Sequence, residues 1–208
     1  TALQRMILGG YMASNGLFMA TVASVLIATG AFAQQQNTNI RGMVSAFDGK
    51  MIAIKTNDGR DVSVSLPETV AVAATKAFTL ADIKPGMKLG VTTVKGPNGA
   101  VMAIDVRPIP ATANEGLSSY DLAPESTMTN ATLETTAVGT NGQELTLNYK
   151  TGTVKALVTP STAMSASAPG ERTDIKPGET IFVSARSEGN ELIAVRVQVS
   201  KDGVKPTQ

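Results

Sequence analysis

Short runs of alternating apolar and polar residues dominate the chain from residue 38 onward. Ile52, Ile54, Val62, Val64 and Leu66 alternate with Ala53, Lys55, Ser63 and Ser65, the period-two pattern of half-buried strands. Turn dipeptides (Asp48-Gly49, Asp58-Gly59, Asn98-Gly99, Asn141-Gly142, Asp202-Gly203), most of them between apolar runs, favour tight hairpins and antiparallel neighbours. This predicts strands near 40–47, 51–56, 60–66, 87–94 and 101–107. A connector over 68–81 is expected to hold a short helix from Val70 to Leu80.

One phrase occurs twice. Asp82-Ile83-Lys84-Pro85-Gly86 returns as Asp174-Ile175-Lys176-Pro177-Gly178, 92 positions later. Pro67 aligns with Pro160 and Ala103 with Ala194, so the whole strand pattern repeats, near 129–137, 144–149, 153–159, 180–186 and 191–199. A repeat of this length is a small domain in itself. Three strands, a connector and two strands is the order of a five-stranded OB-type barrel. The expected fold is therefore all-β, two tandem OB-like barrels at 38–108 and 129–200, with a β-sandwich as the rival. Residues 109–128, rich in Pro, Ser and Gly, read as a linker that Leu117, Tyr120, Leu122 and Met128 pin against a barrel. Residues 201–208 read as a loose tail.

Residues 1–33 read differently. Leu17 to Ala28 is uncharged and apolar, and Ala31 and Ala33 form the small-x-small site of a cleaved signal peptide. A retained membrane anchor is the alternative. The chain has no cysteine, which excludes a lipoprotein anchor and any disulfide. Beyond residue 33 it carries 17 basic and 17 acidic side chains, so its charge makes no case for nucleic acid. The expected location is periplasmic or secreted.

The stretches RGMVSAFDGKMIAIKTNDGRDVSVSLPE, LADIKPGMKLGV, NGAVMAIDVRP and YDLAPESTMTNA resemble a family of small exported bacterial β-barrel domains of unknown function. The two-repeat form resembles an alphaproteobacterial subset. The resemblance covers about residues 38–206 and implies a barrel fold and a periplasmic location, with no catalytic residues. Relatives bear the label of metal transporter permease, which one apolar segment cannot support.

Candidate chemistry is sparse. Histidine and cysteine are both absent, which removes the common hydrolase triads, thiol catalysis and zinc sites. Asp48, Asp58 and Asp61 fit turn aspartates better than a calcium loop. The scattered methionines fit core positions better than a copper site. The second and third strands of each repeat offer small or polar side chains instead of the aromatics that stack bases or sugars. Tyr120 and Asp121, in the linker, are the candidate ligand-binding residues, because a segment tethering two rigid bodies lines the cleft between them. The expected function is a non-enzymatic exported binding or assembly module without cofactor, with an unknown protein or small molecule as partner. The alternative is a periplasmic small-ligand or metal-ion binder with its site at the linker.

Overall fold

The computed structural model describes residues 37–139 and 142–207. The leader expected over 1–33 lies outside them. The described chain is all-β, thirteen strands with three single-turn 3-10 segments. The first repeat supplies β1 (Thr38–Phe47), β2 (Met51–Thr56), β3 (Asp61–Ser65), β4 (Val72–Ala77), β5 (Lys88–Lys95) and β6 (Val101–Pro108). The linker supplies β7 (Gly116–Ser119). The second repeat supplies β8 (Thr127–Gly139), β9 (Gly142–Tyr149), β10 (Gly152–Val158), β11 (Ala163–Pro169), β12 (Thr180–Glu188) and β13 (Glu191–Val199).

The strands do not group by repeat. β1, β2 and β3 close a five-stranded barrel with β12 and β13, in the order β1-β2-β3-β13-β12 and back to β1. The closing contact is the parallel pair Ile193 and Ser65. Reciprocally, β8, β9 and β10 pair around with β6 and β5, joined by the parallel pair Leu157 and Met102. Each circuit thus takes three strands from one repeat and two from the other. This corrects the expectation of one barrel in each contiguous half.

The connector explains the exchange. In place of the expected helix near Val70 to Leu80, residues 72–77 form β4, which pairs with β13 and with β11. β11 in turn pairs with β6. A six-residue strand spans about 20 Å, roughly twice the reach of a helix of that length. The extended connector therefore carries the chain from one circuit to the other, where a helix would have folded it back. The uninterrupted apolar run Val70-Ala71-Val72-Ala73-Ala74 fits either period, and the open edges of β13 and β11 decide it.

Two buried cores match the two circuits. Ile40, Val44, Ile52, Ile54 and Val64 pack with Ile181, Val183, Val197 and Val199. Leu89, Val91 and Val106 pack with Leu133, Leu145, Leu147 and Val158. Each copy of the repeated phrase serves one of them. Asp82 accepts hydrogen bonds from the Thr79 amide and hydroxyl, both at 2.9 Å, and Asp174 accepts from the Glu171 amide at 2.9 Å. These shape the single helical turns Leu80–Asp82 and Arg172–Asp174. Ile83 then enters the second core and Ile175 the first. The described strands belong to a single compact unit.

The tail packs instead of hanging loose. Lys201 and Val204 pair with each other, the Thr75 hydroxyl donates to the Val204 carbonyl, and Pro206 is buried. Thr207 donates to the Asp105 carboxylate.

Candidate functional site

Inward positions of both circuits are apolar, so the opposite parity sends another set of residues outward. On the first circuit, Arg41, Phe182 and Gln198 lie in one cross-strand row, and Asn39, Ser184 and Arg196 in the next. The second circuit places Asn130, Gly90 and Arg107 in one row and Met128, Thr92 and Asp105 in the next. An outward face normally meets water, yet Phe182, Gln198, Thr92, Asp105 and Arg107 are all buried. The two faces form a seam, and it is polar.

Burial of charge in this seam is compensated by pairing. Asp105, with no exposed surface, binds Arg107 Nη1 and the Thr207 hydroxyl. Burial pushes the Asp105 carboxyl up, against the opposing pull of Arg107 and Thr207. Arg107 Nη2 also reaches Met128 Sδ at 3.5 Å. Gly90 makes room for this arrangement: a Cβ there would stand 3.2 Å from Asn130 Oδ1 and 3.5 Å from Arg107 Nε.

The linker is held along its length. Lys88 Nζ donates to the carbonyls of Ala111 and Ala113 at 2.9 and 3.0 Å and lies 3.3 Å from Glu115. β7 then pairs with β8. A tight loop follows, in which the Tyr120 amide donates to the Ser126 carbonyl and the Ser126 hydroxyl to the Tyr120 carbonyl, both at 2.9 Å. That loop delivers Tyr120 and Asp121 to the first circuit. Of the four expected anchors, Met128 is buried and Leu117 stays exposed.

Asp121 Oδ1 accepts from Arg41 Nη2 at 2.8 Å and from Asn39 Nδ2 at 3.2 Å. Partial burial raises the Asp121 carboxyl, but the hydrogen bonds from Arg41 and Asn39 outweigh it and hold the group below the usual carboxylate range. Burial likewise works against the Arg41 cation, and Asp121 more than restores it. The Arg41 guanidinium lies 5.6 Å from the Tyr120 ring centre and 5.3 Å from that of Phe182.

A cleft of about 370 Å³ opens on the seam, lined among others by Asn39, Arg107, Tyr120, Asn130, Phe182 and Arg196. Tyr120 is therefore part of a cleft wall. Asp121 lies outside this cleft: it accepts from Arg41 and Asn39, fixes the loop, and lines a smaller hollow of about 260 Å³ beside Arg41, Asn57 and Leu122. Arg196 sits at the exposed rim, 5.8 Å from the Phe182 ring centre. Crowding by protein and by the Arg107 charge lowers Arg196, without bringing an arginine near deprotonation. The cleft wall offers hydrogen-bond donors and an aromatic face, and no carboxylate.

A second hollow, about 760 Å³ and largely apolar, opens beside Phe78, Leu80, Val158, Pro160 and Met164. At the corresponding place in the other repeat, Arg172 stands for Leu80. It donates to the carbonyls of Gly49, Leu66 and Pro67 at 3.0, 2.8 and 3.1 Å. Both residues stand two positions ahead of the repeated phrase, so the difference in sequence there accompanies the asymmetry of the two ends.

Other expected positions serve local structure. Asp48 accepts from the amides of Lys50 and Met51 at 2.8 and 2.7 Å, Asp58 binds Thr56 and Arg60, and Asp61 lies 3.3 Å from Lys55. Among the described residues no three acidic side chains gather as for a metal ion. Comparison with protein-family models, with curated proteins and with solved structures returns no match.

Proposed function

We propose that the protein is a non-enzymatic, exported binding module made of two interlocked OB-like barrels, with its ligand site in the seam cleft beside Tyr120. The observation that carries this reading is the fixed linker. Lys88, β7, the Tyr120–Ser126 loop and the Arg41–Asp121 pair together fix a segment that a mere tether would leave free. Rigid placement of a tyrosine in a cleft walled by both circuits is what a pre-formed recognition site requires. The absence of histidine and cysteine supports binding over catalysis. A metal-ion ligand is disfavoured, because the cleft wall presents arginines where a cation needs oxygen anions. Export rests on the apolar run and the Ala31/Ala33 site, and on the family resemblance of the repeated phrases.

Expression of the full chain in a bacterial host, followed by fractionation and native mass spectrometry, tests both halves of the reading. A soluble periplasmic monomer lacking residues 1–33 supports export; retention in the membrane fraction overturns it. Small polar metabolites are then added singly. A saturable adduct that raises the melting temperature and is lost in Tyr120→Ala supports the cleft, whereas adducts indifferent to that change place the site elsewhere.

A further inference from the structure

We propose that the seam cleft takes a singly charged carboxylate, the acid group of a small polar organic acid such as a uronic acid, with Arg196 as its anchor. This rests on the binding-module reading and narrows it.

The first argument is charge balance. Three guanidiniums gather along the seam, with two carboxylates between them. Asp121 pairs with Arg41 and Asp105 with Arg107. Arg196 touches the ring of Phe182, and among the described residues no carboxylate pairs with it. Another cation, Arg107, lines the same cleft and works against the Arg196 charge. One positive charge is left without a counter-charge, at the rim of a cleft, so the complementary ligand carries one negative charge there.

Geometry and lining point the same way. A guanidinium presents parallel N–H donors that match a carboxylate in two-point contact. Asn39, Asn130, Ser118, Ser184 and Tyr120 add neutral polar groups suited to hydroxyls on the same ligand. The cavity lies at the small end of the range for ligand sites, so a molecule of sugar-acid size fits better than a polymer.

The duplication supplies an independent comparison. Arg196 on β13 holds the position that Asp105 holds on β6, each paired across strands with its counterpart residue, Ser184 or Thr92. In one repeat this position is an acid, buried and matched by Arg107. In the other it is a base, open at the cleft. The seam is thus internally neutralised on one side only.

The test is a nuclear magnetic resonance titration of the full chain, ¹⁵N-labelled and processed as the host delivers it. The probes are sodium D-glucuronate, D-glucose and inorganic phosphate, at fixed ionic strength and neutral pH. Saturable shifts of the Arg196, Asn39 and Asn130 side-chain signals are expected with glucuronate and not with glucose. Arg196→Met should weaken glucuronate about tenfold or more, as loss of a charge-assisted contact does. Arg196→Lys should restore part of the binding, which separates loss of charge from loss of fold. Shifts with glucose that match those with glucuronate and persist in Arg196→Met overturn the anion assignment but leave the cleft reading intact. Tighter binding of phosphate than of glucuronate overturns the carboxylate assignment. No shift from any probe overturns both.

Discussion

The amide of Gly178 donates to the carbonyl of Val44 at 2.9 Å, joining the second copy of the repeated phrase to the opening strand of the first repeat. Its counterpart is the Gly86 amide on the Leu133 carbonyl, also at 2.9 Å. Both glycines have positive φ, +93° and +84°, which the turn after Lys-Pro requires. The two halves are therefore bonded crosswise at equivalent points, next to β-bulges at Val44/Ala46 and Leu133/Thr135 that bend the strands around their circuits.

Crosswise closure predicts that a cut linker will not release the halves. A protease site inserted after the exposed Thr112, once cleaved, should leave two fragments that co-elute at the size of the intact domain and separate only in denaturant. Calorimetry of the uncut protein should show one transition, lowered by either Ile54→Ala or Leu145→Ala, each by about 2–5 kcal/mol. Fragments eluting singly at half size would contradict the pairing of β1 with β12 and of β5 with β8.

Gly42 is predicted to be intolerant of even one methyl group. A Cβ there would lie 2.2 Å from the Lys55 carbonyl oxygen and 2.8 Å from Thr56 Cα, both backbone atoms of the adjoining strand. Gly42→Ala should cost about 1–3 kcal/mol in urea unfolding. A wild-type midpoint would mean that β1 and β2 do not approach so closely.

Arg172→Ala should destabilise the protein by about 1–3 kcal/mol, because it strips a donor from the carbonyls of Gly49, Leu66 and Pro67. Lysine at the same position cannot span all three acceptors and should recover only part of the loss. Equal stability of the two variants would count against the three-carbonyl contact.

Asp121 has a sign that pH can check. Its carboxyl is held below the ordinary value of 3.8 in the folded state, so the folded protein binds that proton less readily than the unfolded chain. The stability it confers is present above that value and is lost as pH falls through the folded one. Asp121→Asn should therefore be less stable than wild type near neutrality, with the gap closing on acidification. A gap that is constant down to the lowest pH would show that the Arg41 contact does not depend on the carboxylate charge.

Strand content was legible because alternation of small polar and β-branched residues has one physical reading, a sheet with one face buried. The aspartates of the Asp-Gly turns and the repeated phrase were legible for the same local reason. The site was only half legible. Tyr120 and Asp121 stand out as polar residues in a linker, but Arg41, Arg107, Phe182 and Arg196 do not, since outward parity marks a residue as off-core without saying which face will cover it.

The amino-acid sequence by itself determined the all-β class, the twice-used Asp-Ile-Lys-Pro-Gly phrase, the turn chemistry and which residues point inward. These depend on backbone geometry and on transfer of apolar groups from water, both settled within a few residues. Tertiary structure decided which strands close which circuit, that Val72–Ala77 is extended, and that a polar seam buries Asp105 with Arg107. Those outcomes depend on pairing between residues as far apart as Thr38 and Ala185. There, open sheet edges and unpaired charges choose partners that no local pattern encodes.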